Sequence, residues 1–366
     1  DPGLTEDTVR IATLLPLSGA AAETGEVMRR VMEGYFAGIN EDGGIFGRKI
    51  ELMAVPMGQT ADASMNTLRE AFDAEGIFAV VGAYSIGIDE ALLGYLRSDN
   101  VPLIGPFTLD PGDAYIDANA YYLFSGFDEQ ARVLADRALA EGTTANKVVI
   151  AGPQTSRSEQ LLRAAISRVN EASGDAQANV ETWTPGEFDG AEFAGKITDN
   201  DIEALIFLGA QADLDALLVE LGDRNLAPRI YLLSSLVSRP LIDLPAAFDK
   251  KVFIAYPSTS QDVSPRGRED YARIAERHSL PREHVQAQLA SLAAAKLFVE
   301  GLRRAGRDAS RARLVEGLEQ LYNFETGVTP PLSYGPNRRI GALGAHIVTV
   351  DLGNRRYVPV GWCDAN

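Results

Sequence analysis

The sequence predicts an α/β protein of two lobes, each a sheet of mostly parallel strands covered by helices. Three observations lead there. Short apolar runs alternate with longer stretches whose apolar residues recur at helical spacing, the rhythm of strands joined by crossover helices. That rhythm runs through the first third of the chain and restarts near 121–124. At 366 residues the chain is long enough for two separately buried cores.

The first strand is 9–15, closed by Pro16, which has no N–H to continue a ladder. A helix over 26–39 follows, with Val27, Val31, Tyr35 and Ile39 on one face. Asn40-Glu41-Asp42-Gly43-Gly44 then turns the chain into a strand at 49–56. A helix over 62–74, a strand at 77–81, a helix over 88–96 and a strand at 101–104 complete the first series. The second series opens on 121–124 and continues through helix 129–141, strand 147–151, helix 156–172 and strand 180–183. Strand 202–208, helix 212–223 and strands 230–233 and 252–256 finish it. Helices 266–278 and 285–305 lack strand partners of their own and are assigned to the first lobe. The tail reads as a hairpin, 346–350 and 356–360, around Leu352-Gly353-Asn354. The chain is thus expected to pass between lobes near 122–126, 255–260 and 330–336. The lobes become 1–124 plus 258–333, and 125–257 plus 334–366.

A formal charge of −17 argues against nucleic acid or an anionic bilayer, both of which need clustered Lys and Arg. The first residues, Asp1-Pro2-Gly3, are a polar lead-in without the features of a secretory leader, which suits a trimmed mature protein, although an intracellular protein would look the same. With Cys363 as the single cysteine, no disulfide can form within the chain. The sequence has no Gly-x-Gly-x-x-Gly after the first strand, no phosphate-binding loop and no His-Glu-x-x-His, so neither a cofactor nor a metal is expected.

In open α/β sheets ligands settle beyond the carboxyl ends of strands, where helix starts offer unpaired N–H groups. Two first-lobe segments occupy such positions: Gly82-Ala83-Tyr84-Ser85-Ile86-Gly87 and Gly105-Pro106-Phe107-Thr108-Leu109-Asp110. Ser85 and Thr108 can supply hydroxyls to a carboxylate, or can cap their own turns. Tyr84 and Phe107 can wall the site. Ala83-Tyr84-Ser85-Ile86-Gly87 is also one residue from the Gly-x-Ser-x-Gly of serine hydrolases, although His278, His284 and His346 all lie in helical or hairpin contexts. The acidic pairs Asp199/Asp201 and Glu41/Asp42 lack calcium-loop spacing. Arg157, in the first turn of a second-lobe helix, can pair with an anion or simply face solvent.

The order of motifs resembles the leucine/isoleucine/valine-binding type of periplasmic substrate-binding protein. Leu15-Pro16-Leu17-Ser18-Gly19 resembles that family's opening. Ile39-Asn40-Glu41-Asp42-Gly43-Gly44-Ile45-Phe46-Gly47-Arg48-Lys49-Ile50 is similar to its Gly-Gly-Ile block. Val80-Val81-Gly82, Val101-Pro102-Leu103-Ile104 and Leu332-Ser333-Tyr334-Gly335 continue the likeness over nearly the whole chain. The resemblance implies a type I periplasmic binding fold: two Rossmann-like lobes, three crossovers and a ligand cleft between them. It implies capture of a small molecule and delivery to an ATP-driven (ABC) importer, without catalysis, by a monomer outside the cytoplasm. A ligand-sensing role in a signalling system is the alternative on the same fold.

The resemblance places the first-lobe contacts at Tyr84, Ser85 and Ile86 and at Phe107, Thr108 and Leu109. In the second lobe a customary Tyr-Gly is replaced by Ser156-Arg157-Ser158. Gln211 stands where amino-acid binders often place an aromatic residue, and Ser235 stands where an acid usually holds an α-ammonium. A buried ammonium without a carboxylate partner is costly. Arg157 with several hydroxyls therefore suits a carboxylate, a dicarboxylate or an amide-bearing ligand better than a simple branched-chain amino acid.

Overall fold

Parallel pairing starts with the first strand, β1 (Thr8–Leu15), which runs beside β2 (Lys49–Pro56) from Thr8 opposite Lys49 to Leu15 opposite Pro56. The intervening α1 (Ala22–Glu41) buries Val27, Met28, Val31, Met32 and Phe36 along one face, which makes it a crossover helix. Then come α2 (Ala61–Glu75), β3 (Ala79–Val81), α3 (Asp89–Ser98), β4 (Leu103–Ile104) and β5 (Ala120–Phe124). The chain continues through α4 (Phe127–Ala140), β6 (Val148–Pro153), α5 (Ser156–Ser173), β7 (Asn179–Trp183), α6 (Gly190–Asp199), β8 (Ala204–Phe207) and α7 (Gln211–Asp223). After β9 (Arg229–Leu233) and β10 (Val252–Tyr256) come α8 (Pro265–Arg277), α9 (Val285–Ala305) and α10 (Arg311–Glu319). The chain closes with β11 (Ile340–Ala342), β12 (Gly344–Asp351) and β13 (Arg356–Asp364). This computed structural model describes residues 1–109, 119–140, 142–174, 176–237 and 241–365.

Two compact units result: Asp1–Phe124 with Ser258–Ala342, and Ser125–Pro257 with Leu343 onward. The first holds a six-stranded sheet in the order β11-β5-β4-β3-β1-β2, parallel throughout. The second holds seven strands in the order β13-β12-β10-β9-β8-β6-β7. Its first five strands in sequence are parallel, and the antiparallel β12 and β13 close one edge. Within each unit the first five strands thus stand in the order 2-1-3-4-5. The order reverses direction beside the first strand, which is where doubly wound sheets bind ligands. In the second unit, one sheet face packs on α4 and α5 through Leu134, Leu161 and Ile206, and the other on α6 and α7 through Phe193, Leu217 and Phe207.

Three features depart from the sequence reading. The third passage between units falls at 342/343 and not near 330–336. β11 adds to the first sheet, with Ile340 opposite Tyr122 and Ala342 opposite Phe124, and the Tyr334 hydroxyl donates to the Tyr122 carbonyl at 2.9 Å. Those contacts hold 334–342 in the first unit. Two helices were not foreseen, α6 and α10. In α6 only Phe193, Ala194 and Ile197 among the apolar side chains are buried, too few for a clear periodic signal, and the Asp189 side chain caps it by accepting from the Glu192 N–H at 2.9 Å. In α10 only Leu314 and Leu318 carry the pattern, and Ser310 caps it. Tertiary burial stabilises both helices, since neither is long enough to persist on its own.

Candidate functional site

In the first unit, the ends of β3 and β4 each break at a glycine with positive φ, Gly82 at +62° and Gly105 at +58°. The two loops that follow are then stitched together. Ser85 N–H donates to the Phe107 carbonyl at 3.0 Å, and Phe107 N–H donates to the Ala83 carbonyl at 2.7 Å. Tyr84 N–H reaches back to the Leu14 carbonyl of β1 at 2.9 Å. Tyr84, Ser85, Phe107 and Thr108 are therefore brought to one place, beyond the carboxyl ends of β1, β3 and β4. The rings of Tyr84 and Phe107 lie 5.9 Å apart, inclined by 38°, and both residues are part-exposed. Ile86 is also part-exposed and Leu109 is exposed, while Asp110 lies outside the described residues.

The hydroxyls are not aimed as the sequence suggested. Ser85 Oγ donates to Asp89 Oδ1 at 2.6 Å, and Thr108 Oγ1 donates to Asp89 Oδ2 at 2.8 Å. Ser85 is wholly buried. A hydroxyl has one proton to give, so the chain's own carboxylate takes the two donors that were expected to meet a ligand carboxylate. The same contact removes the serine-hydrolase reading: among the described residues the Ser85 hydroxyl has Asp89 as its partner and no histidine. His284 instead meets Thr24, with Nδ1 3.2 Å from Oγ1.

In the second unit the candidates fall on loops at the carboxyl ends of three adjacent strands. Arg157 is in the first turn of α5, after β6. Gln211 opens α7, after β8. Ser235 sits in the short turn Ser234–Leu236 after β9. Thr155 caps α5 by accepting from the Ser158 N–H at 3.2 Å. Arg157 is exposed, and its guanidinium lies 4.7 Å from the centre of the Phe127 ring. Gln211 Nε2 donates to Asp215 Oδ1 at 2.9 Å, one helical turn on. Ser235 is exposed.

Two acidic residues escaped the sequence reading. Asp89 stands four residues after Ser85, a spacing visible in the sequence, but its link to Thr108 is made only by folding. Glu129 lies in the first turn of α4, whose first residue is the ring beneath Arg157. Its Oε2 is buried without a hydrogen-bond partner among the described residues. Burial, reinforced by the neighbouring Asp128, pushes its carboxyl up to about 8. The folded protein therefore holds this proton where the unfolded chain has released it. Stability from this group is full below the ordinary carboxylate range and declines as pH rises toward 8. Glu129→Gln is expected to raise unfolding free energy by about 2 kcal/mol at pH 8 and to change it little at pH 4. Urea denaturation at the two pH values checks the sign.

Among the described residues no cluster of His, Cys, Asp and Glu could hold a metal ion, and no helix is long and apolar enough to cross a membrane.

Comparison with known proteins agrees with the architecture. The sequence model of the periplasmic binding protein family matches residues 8–354. Over 219 residues the chain is 23% identical to the Leu/Ile/Val-binding protein homolog 3 of Brucella melitensis, covering 60% of this chain and 59% of that protein. The match therefore spans less than two thirds of that relative. A crystal structure from Rhodospirillum rubrum, provisionally described as a branched-chain amino acid ABC transporter, superposes with a TM-score of 0.78. It is 20% identical, with 96% of this chain and 100% of that one covered. An ABC transporter solute-binding protein from R. palustris in complex with benzoate superposes with a TM-score of 0.63 at 15% identity, covering 97% and 96%. At these identities the two structures speak to the fold alone. They share it with a family of substrate-binding proteins, not enzymes. Two sheets of the same strand order, under a family match that runs through both units, place this chain in the periplasmic binding protein family.

Proposed function

We propose that this chain captures one small polar molecule by closing its two lobes around it, and delivers that molecule to an ABC importer outside the cytoplasm, acting as a monomer. Membership of the family carries this reading, together with one structural observation. Both sheets reverse strand order beside their first strand, and in both units the loops beyond those strand ends gather polar side chains and helix starts. Tyr84, Ile86, Phe107, Thr108 and Leu109 on the first unit, and Arg157, Gln211 and Ser235 on the second, are the proposed contacts. Ser85 serves from beneath by positioning Asp89. A ligand shifts an open–closed equilibrium only by the extra contacts it makes in the closed form. The second-unit residues are assigned that role.

Mass spectrometry of an organic extract from protein purified without refolding should recover the ligand, and adding it back should lower the radius of gyration in small-angle scattering. A chain that retains no small molecule and keeps its dimensions with every candidate refutes the reading. Arg157→Ala is expected to weaken a ligand with an anionic group by about tenfold, because an Arg pair on an exposed first turn is only partly desolvated. Isothermal calorimetry measures it.

A further inference from the structure

Arg157 is seated on an aromatic ring of its own unit. Its guanidinium stands over the Phe127 ring, 4.7 Å from the centre, within the range of a cation–π contact. Both ends of that contact are fixed. Phe127 opens α4, is 4% exposed, and belongs to the buried cluster that also holds Ala131, Leu161 and Leu162. Leu161 lies one helical turn after Arg157 on α5, so the two share the helix face that meets this cluster. The first turn of α5 is pinned by Thr155. Its side chain accepts from the Ser158 N–H at 3.2 Å, and its carbonyl accepts from the Glu159 N–H at 2.9 Å.

The ring takes up the planar face of the guanidinium and leaves the N–H donors, which point outward in the plane. Arg157 is exposed, and among the described residues it makes no hydrogen bond or ion pair. Glu159 follows by two residues, a spacing at which helical side chains do not face each other. Nor does the position serve the helix, since a cation in the first turn opposes the macrodipole. A long side chain loses rotamer freedom when it grips a ligand. One already laid on a buried ring loses less.

We propose that Phe127 is a positioning residue: it holds Arg157 so that the guanidinium presents its N–H edge to a carboxylate of the ligand. This rests on the reading that the strand-end loops of the second unit touch the ligand, and it assigns the ligand's chemical class. A planar fork held in one orientation matches a planar carboxylate through two parallel hydrogen bonds.

Arginine side-chain NMR with benzoate as the carboxylate probe tests the proposal. Arg157→Lys identifies the Arg157 resonances by their loss. In the unaltered protein the ring should displace those resonances, and benzoate should move them in a saturable titration. Phe127→Leu keeps an apolar side chain in the cluster but removes the ring face. It is expected to abolish the ring displacement and to weaken benzoate about fivefold. Arg157→Lys keeps the charge and leaves Phe127 untouched, and should weaken benzoate at least as much, because an ammonium offers no planar fork. Combining the two should cost no more than Arg157→Lys alone, the mark of a residue that acts through another. Arg157 resonances that the ring does not displace, or that benzoate does not move, overturn the proposal. So does benzoate affinity that stays within twofold in Phe127→Leu, or in Arg157→Lys if the first variant does not fold. Losses that add in the double variant overturn it too. The co-purified ligand and the scattering experiment judge the capture reading separately. A recovered ligand without a carboxylate, or one that compacts the protein and leaves the Arg157 resonances in place, would overturn the role of this pair alone.

Discussion

Replacing Gly105 with alanine is expected to lower the unfolding free energy by about 3 kcal/mol and to displace the loop that carries Phe107 and Thr108. Two effects add. The residue has φ +58°, a region that any Cβ disfavours. A Cβ built there would also lie 2.4 Å from the Ala294 Cβ and 2.9 Å from its Cα. Those atoms belong to α9, which is buried on either side of Ala294 and has no flexible side chain at this point to move away. The Gly105 N–H is meanwhile held by the Tyr121 carbonyl at 2.8 Å, so the loop cannot simply lift. Gly87 is the internal control. It too has positive φ, +82°, but among the described residues a Cβ there would meet nothing within 4 Å, so alanine at that position should cost only about 1 kcal/mol. Urea denaturation of both variants compares the costs. Equal losses would show that backbone conformation alone, and not the close approach of α9, requires the glycine.

Phe207→Ala is expected to cost about 4 kcal/mol, within the range for emptying a buried aromatic site. Phe207 ends β8 and is wholly buried. Its ring stacks on Trp183 at 5.6 Å and meets Phe188 edge-on at 5.9 Å. The indole N–H of Trp183 is anchored on Asp213 Oδ2 at 3.2 Å, so the neighbouring ring is not free to fill the void. The loss should reach the proposed ligand edge, because Leu208, Gly209 and Ala210 run directly from this ring to Gln211. A Cβ on Gly209 would lie 2.7 Å from both Phe207 and Trp183, so the rings set the path of that connection. Thermal unfolding measures the first effect. Mobility of the Gln211 amide by NMR measures the second.

The contrast between legible and illegible features has a physical basis. β1 and α1 were readable because a strand's alternation and a helix's repeat are written in neighbouring residues, and each element buries enough apolar side chains for the pattern to stand out. α6, α10 and β11 were not. Each has few apolar residues and is stabilised mainly by what it packs or pairs against, as β11 is by β5. The loops carrying Tyr84 and Phe107 could be placed at strand ends from local signals, Gly82 and Gly105 among them. Arg157, Gln211 and Ser235 could be placed the same way, each just after a recognisable strand. Loop position is a local property, and local properties survive without coordinates.

Partnership is not local. Ser85 and Asp89 are four residues apart and Thr108 is a further nineteen residues from Asp89, yet one carboxylate joins all three. The sequence by itself determined that this is a two-unit α/β chain with polar loops at its strand ends. Only the tertiary structure decided which way the hydroxyl protons turn, and that Glu129 is buried deeply enough to keep its own proton near neutral pH. A proton's direction depends on the nearest acceptor in space, and a carboxyl's charge depends on how much water remains around it. Neither quantity exists until distant segments have met.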